Sequence, residues 1–265
     1  MGEARGAATF KTSAEAYDRH IGRYSRELAR GLIAAADVRP SQLALEAGCG
    51  PGGLTAELVD LLGADRVTAI DPSPPFVEAC RRRLPGVRVE VGRAEGLPFA
   101  DGEFDRALAQ LVVNFMEDPH AGVGEMRRVT RPGGTVAAAV WDYAGEMTLL
   151  RRFWDAAAAV DAAAVERDEG RCMPFCTPGE LERLWAAAGL AEVSVSPLVV
   201  RARYEGFEDL WEPLEHGVGP SGAYAASLPA DRRRALAEEL RRRLEVAEQP
   251  FELSARAWIA SGRVP

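Results

Sequence analysis

No stretch of this 265-residue sequence approaches the roughly 20 consecutive apolar residues that a membrane-crossing helix needs. The opening MGEARGAATFKTSAEAY holds no secretory apolar block either, so neither a membrane role nor export is expected. Cysteine is scarce: Cys49, Cys80, Cys172 and Cys176 follow no disulfide-scaffold spacing, which predicts a reducing, cytoplasmic setting. The C-x3-C pair of Cys172 and Cys176 has no further ligands nearby, so no metal site is expected. Positive charge is outweighed, with a formal net charge of −8 and arginine supplying almost all the cations. Broad binding to a phosphate backbone is therefore a poor expectation. Fixed-period repeats and Gly/Ser linkers are also missing, so residues 1–265 read as a single domain.

What is present is alternation. Residues 13–36 read as a helical cap, with Ile21, Tyr24, Leu28, Leu32 and Ile33 recurring every three or four positions. The segments QLALEA (42–47), RVTAID (66–71), VRVEVG (87–92), FDRALAQLV (104–112) and GTVAAAVWD (134–142) read as strands. Helix-length segments separate most of them, which predicts βαβ units and a mostly parallel, doubly wound α/β sheet covered on both faces. Past residue 142 the rhythm changes to an alanine-rich helix (146–168) and a helix capped by Thr177, Pro178 and Glu180. Two late strands follow, EVSVSPLVVRARY and FELSARAWIASG. Between them lie a Trp/Glu/Gly-rich segment (205–227) and an Arg/Glu helix whose charges read as a solvated face.

The stretch LALEAGCGPGGLTAEL (43–58) carries four glycines in six positions behind the first strand. Gly48-Cys49-Gly50-Pro51-Gly52-Gly53 fits the G-x-G-x-x-G pattern of a dinucleotide loop, with Asp71 ending the next strand as a ribose acid would. The same glycines also suit a tight strand-to-helix turn that holds nothing. Glu46 separates the readings. A pyrophosphate at a helix N-terminus wants donors and positive field. A carboxylate about 4 Å from it opposes it by roughly 4 kcal/mol at an effective dielectric of 20. S-adenosylmethionine has the opposite character: an ammonium, a sulfonium, a ribose diol and an adenine, with no phosphate. The loop reads better as a site for that molecule than as a phosphate loop.

LALEAGCGPGGLT, VTAIDPS, VGRAEGLPFADGEFDRALAQLVVNFMEDP and EMRRVTRPGGTVAAAVW, in that order, resemble the motifs of the class I (Rossmann-like) S-adenosylmethionine-dependent methyltransferases. The chain is most similar to their branch of ubiquinone/menaquinone biosynthesis C-methyltransferases and small-molecule methylases. The resemblance spans residues 40–142, with YDRHIGRYS (17–25) similar to the family's N-terminal cap. It implies a seven-stranded sheet with the last strand antiparallel, and leaves residues 143–265 for substrate-side insertions and the two late strands. It implies cofactor contacts at Glu46, Gly48, Gly50 and Gly52 for the methionine end, and at Asp71 and Pro72 for the ribose. Asp71 can alternatively cap the helix that follows it, and one set of lone pairs does not easily do both. Arg93 stands where the family commonly places an acid for the adenine amino group. The adenine contact is therefore expected at backbone groups of Ala94 and at Glu95, with Arg93 able to stack on the ring. The Gln110 carbonyl matches a position beside the methionine ammonium. Tyr17, Arg23 and Tyr24 are expected to close over the cofactor, Arg23 pairing with its carboxylate, or else Tyr24 packs in the core.

Methyl transfer from a sulfonium is an in-line displacement governed by positioning, and a base is needed only where the acceptor loses a proton. The three histidines are His20 in the cap, His120 at a helix start and His216 in the late insertion. Only His216 is a base candidate. No Asp/Asn-Pro-Pro-Tyr/Phe tetrapeptide follows the fourth strand, and no basic stripe is present, so nucleic acid is not the expected acceptor. Aromatic residues gather after Trp141 and can line an apolar pocket for a small organic substrate. An NAD(P)-dependent oxidoreductase and a non-catalytic S-adenosylmethionine-binding protein stand as the alternative readings. Oligomeric state is not legible.

Overall fold

The computed structural model describes residues 18–246 and 249–265. Residues 13–17 of the expected cap, Tyr17 among them, lie outside the described residues. A 3-10 turn, Ile21–Tyr24, leads into helix α1, Ser25–Ala35, whose Leu28 and Leu32 are buried as the periodicity predicts. Then come β1 (Ala44–Ala47), α2 (Gly53–Leu62), β2 (Val67–Asp71), α3 (Pro74–Arg83) and β3 (Arg88–Val91). They are followed by β4 (Phe104–Gln110), α4 (Pro119–Val129) and β5 (Thr130–Trp141). After β5 the chain forms α5 (Thr148–Val160), a short α6 (Glu169–Cys172), α7 (Pro178–Ala187) and β6 (Ala191–Tyr204). Helices α8 (Phe207–Glu215), α9 (Gly219–Ser227) and α10 (Ala230–Leu244) separate β6 from β7 (Phe251–Arg263).

The seven strands form one sheet in the order β3-β2-β1-β4-β5-β7-β6. Strands β1 to β5 pair in parallel, while β7 runs antiparallel to both β5 and β6. The expected seven-stranded architecture with an antiparallel last strand is therefore the observed one. Every residue of β1 and β2 is buried, as strands covered on both faces require. Because β1 is flanked by β2 on one side and β4 on the other, the connections leave in opposite directions there. That reversal opens a crevice outside the carboxyl ends of the strands, where ligands of open α/β sheets bind.

Trp141, Trp154 and Trp185 are among the largest fully buried side chains, and the Trp185 indole donates to the Val136 carbonyl at 3.1 Å. The charged helix α10 buries only Leu236 and Leu240, and Glu239 pairs with Arg242 at 2.7 Å, the solvated face read from its sequence. At α7 the capping box is complete: Thr177 Oγ1 accepts from the Glu180 amide, and the Glu180 side chain accepts from Thr177 N at 3.2 Å. Thr177→Ala removes one side of that exchange. It is expected to cost about 1 kcal/mol in urea unfolding, the usual worth of an N-cap hydroxyl. An unchanged midpoint would contradict this. Among the described residues no helix is long and apolar enough to cross a membrane.

Candidate functional site

The carboxyl ends of β1, β2 and β4 converge on a cavity of about 1020 Å³, its open mouth included. Its floor is the glycine loop. The amides of Gly48 and Cys49 both donate to the Ile70 carbonyl, at 2.7 and 3.0 Å, which pins the loop to β2. Gly48 sits at φ +78°, and a Cβ there would lie 2.4 Å from Val112 Cγ2. Gly50 sits at φ +51° with no atom within 4 Å of an added Cβ, because it faces the open cavity. Gly52, expected to touch a cofactor, does not line the cavity. At φ +97° its Cβ would meet Cys80 Sγ at 3.0 Å, so it lets α2 start close against α3. Gly53 lines the cavity instead.

Glu46 and Asp71 are the buried acids of the cavity, and Asp18, Arg93 and Glu95 line it as well. Glu46 is 2% exposed, and its Oε2 accepts from the Thr55 hydroxyl on α2. Burial pushes its carboxyl well above the ordinary carboxylate value, against the Thr55 hydrogen bond, with Cys80 and Asp71 raising it further. Asp71, at the end of β2, accepts from Gly50 N through Oδ2 and from Ser73 N through Oδ1, both at 2.8 Å. Burial raises its pKa, and those two amides oppose the rise. The side chain thus steadies the loop and the turn that enters α3, but it does not cap that helix, whose N-cap is Ser73 without a side-chain cap bond. Each oxygen retains a second lone pair toward the cavity.

Gln110 ends β4 and donates through Nε2 to Ser25 Oγ at 2.8 Å, tying α1 across the site. Its Oε1 is buried without a partner, and the residue lines the cavity. The next residue, Leu111, is held at φ +61°, and its amide donates to the Ala139 carbonyl at 2.8 Å. A non-glycine residue in that region costs of order 1–3 kcal/mol, and such strain gathers at ligand sites. Phe76, Leu111 and Met116 give the cavity its apolar walls, with Pro72 and Ala94 at the edge.

Several expected roles are redistributed. Arg23 does not line the cavity: its Nη1 donates to Asp209 Oδ2 at 2.8 Å and to the Arg203 carbonyl at 3.0 Å, and its guanidinium lies over the Tyr204 ring. A partner on α8 with a full carboxylate outcompetes a lid role. Tyr24 takes the core alternative, 0% exposed, with its hydroxyl 3.2 Å from that of Tyr204. Glu95 lines the cavity, but its Oε1 accepts from Glu117 N at 2.8 Å, so the side chain anchors the approach to α4 rather than reaching inward. Arg93 is half exposed and paired with Glu117 at 3.0 Å. His216 is exposed at the end of α8, with Nδ1 2.7 Å from the Glu212 carbonyl, and lines neither cavity, which removes it as a base. His120 is exposed as well. Sequence reasoning missed Ser25 and the buried pair His20 and Glu169; these two line a second cavity that shares Phe115 with the first.

The arrangement offers backbone amides, two buried acids, a free amide oxygen and apolar walls, with no buried cation among the described lining residues. Such a site holds a ligand with a positive end and a hydroxylated middle.

Residues 45–138 match the family described as a methyltransferase domain. A malonyl-[acyl-carrier protein] O-methyltransferase of Dechloromonas aromatica is 31% identical over 208 residues, covering 78% of this chain and 74% of that protein. A demethylmenaquinone methyltransferase of Beutenbergia cavernae is 37% identical over 110 residues, 42% of this chain and 45% of that protein. Two further curated relatives are matched over only 31% and 58% of their own lengths. Among solved structures, the YcgJ protein of Bacillus subtilis aligns with a TM-score of 0.59 at 18% identity, covering 89% of this chain and 97% of that one, a likeness of fold. From its match to a methyltransferase relative along most of both sequences, together with the glycine loop at the β1 switch point, we conclude that the chain belongs to the class I S-adenosylmethionine-dependent methyltransferases.

Proposed function

We propose that this protein binds S-adenosylmethionine in the glycine-floored cavity and transfers its methyl group to a small organic metabolite. The observation that carries the proposal is the sign of the buried charge: Glu46 and Asp71 line the cavity, while Arg93, the one arginine among the described lining residues, is already paired. The residues fit the cofactor. Glu46 and the free Gln110 Oε1 hold the ammonium, Asp71 takes the ribose hydroxyls with its remaining lone pairs, and Pro72 packs beside them. Gly48 and Gly50 let the chain approach closely, and the Ala94 backbone with the apolar walls receives the adenine. When bound, the cofactor supplies a methyl group activated on a sulfonium. The protein's own contribution is alignment, worth up to roughly 7–11 kcal/mol in favourable cases.

The relatives named above are a malonyl-[acyl-carrier protein] O-methyltransferase and a demethylmenaquinone methyltransferase, which supports a metabolite acceptor over nucleic acid. The strongest rival is a nicotinamide-dependent oxidoreductase, whose diphosphate would lie against two buried acids. Calorimetric titration separates them: S-adenosylhomocysteine is expected to bind in the micromolar range and NADH at least a hundredfold more weakly. Tight NADH binding without a response to S-adenosylhomocysteine would overturn the proposal. Binding of S-adenosylhomocysteine without methyl transfer to any member of a broad metabolite panel would favour the non-catalytic alternative.

A further inference from the structure

The second cavity is a small, half-open pocket of about 350 Å³ counting the solvent at its mouth, and Phe115 lines both it and the first. Trp141, Tyr143 and Leu150 form its apolar walls. Its buried polar side chains are His20, Glu169 and Ser221, brought together from the N-terminal turn, α6 and α9, at 2%, 3% and 1% exposure. The Tyr143 hydroxyl belongs to the same lining, as does the Trp141 indole N–H, a buried donor without a partner among the described residues that an acceptor oxygen can take. Among the described lining residues there is no arginine or lysine. We propose that this cavity is the methyl-acceptor subsite and that it selects an uncharged, largely apolar acceptor whose reacting atom carries a proton, a hydroxyl or a neutral amine, against a carboxylate. The inference rests on the proposed methyl transfer, which it deepens by naming the acceptor class.

Three observations favour that class. His20 makes no hydrogen bond to a described residue, and burial, with the nearby Arg23 charge, holds its ring neutral down to about 4. It therefore presents a lone pair, not a cation, at neutral pH. Glu169 accepts from the Trp154 indole through Oε2 at 3.0 Å, and burial raises its carboxyl to about 7, with Trp154 opposing and Asp168 adding. Asp168 is itself neutralised by Arg151 at 2.7 Å, so the local field gains no net positive charge from that pair. The Ser221 hydroxyl is buried without a partner, a small group able both to donate and to accept. A hydroxyl or amine proton finds acceptors in His20 and Glu169. A carboxylate finds no cation among the described lining residues, and the ionised Glu169 repels it.

The test uses the full chain with saturating S-adenosylhomocysteine at pH 8 and phenol, aniline and benzoate as matched probes, read by ligand-observed NMR titration. Phenol or aniline is expected to bind at least tenfold tighter than benzoate, and which of the two binds better distinguishes a hydroxyl from an amine acceptor. Glu169→Gln, which still accepts from Trp154, is expected to cut the discrimination against benzoate below threefold. Ser221→Leu fills the cavity and is expected to weaken phenol at least tenfold while leaving S-adenosylhomocysteine within twofold. Crystals of the unmodified protein soaked with 4-bromophenol are expected to place the bromine anomalous peak between Trp141 and Leu150. Benzoate binding as tightly as phenol, no phenol binding, or bromine elsewhere overturns the inference. Failure of S-adenosylhomocysteine itself to bind strikes instead at the proposed function.

Discussion

Glu46→Gln is expected to weaken S-adenosylhomocysteine binding by about 1.5–3 kcal/mol, the worth of a hydrogen bond to a charged group, or roughly 10–150-fold. Glutamine is nearly isosteric and keeps an acceptor for Thr55, so the fold should survive and the loss should fall on the ligand alone. Protons add a second signature. Burial raises the Glu46 carboxyl well above its ordinary value in the unliganded protein. An ammonium placed beside it favours the ionised form, so binding should release a proton, and affinity should rise as pH climbs through the raised value. The linkage runs the other way for stability. A raised carboxyl contributes fully below about 4.5, the unfolded value, and its contribution is lost as pH rises through the folded one. The unliganded protein should therefore lose stability on that climb, and the ligand should restore it. Calorimetry in buffers of different ionisation enthalpy measures the released proton, which the glutamine variant should not show. A released proton that persists in the variant would remove Glu46 from the account.

Gly48→Ala should damage the protein itself. Its φ of +78° disfavours any side chain, and the new Cβ would lie 2.4 and 2.6 Å from the two Val112 methyl carbons. Left-handed strain of about 1–3 kcal/mol and overpacking of about 1–3 kcal/mol together predict a loss of roughly 2–6 kcal/mol. At about 2–4 °C per kcal/mol for a chain near this size, the melting temperature should fall by roughly 4–24 °C. Gly50→Ala is the control. Its φ of +51° carries some strain, but the added Cβ meets nothing and projects into the cavity. It should cost about 1–2 kcal/mol of stability and weaken S-adenosylhomocysteine more than that. Equal melting temperatures for the two variants would show that Val112 moves aside.

The fold was legible because its signals are local. Apolar runs such as QLALEA and RVTAID mark strands buried on both faces, and the fully buried strands Ala44–Ala47 and Val67–Asp71 lie within them, each starting after the run's first residue or two, with Leu43 exposed. Thr177 and Glu180 announced a helix start through a contact only three residues long, and it is there. The loop acid Glu46 was legible for the same reason, standing two residues before Gly48. Side chains whose partners arrive from far along the chain were not. Arg23 was expected at the cofactor, but its partner Asp209 lies 186 residues away and no periodicity announces it. Glu95 was diverted by the backbone of Glu117, which a 3-10 turn and a loop bring alongside. His216 carried the aromatic neighbourhood but sits in water, whereas His20 meets Glu169 only through tertiary folding. Long, flexible arginines and loop histidines are where sequence position says least about contact.

The account depends on a negative side chain at the first bend choosing a ligand with a positive near end. A crystal structure of the complex with S-adenosylhomocysteine tests this most directly. It should place the ligand ammonium within hydrogen-bond distance of the Glu46 carboxylate or Gln110 Oε1, with both ribose hydroxyls at Asp71. Phosphate oxygens of soaked NADH seated on the Gly48–Gly50 amides, or an ammonium lodged away from Glu46, would contradict it.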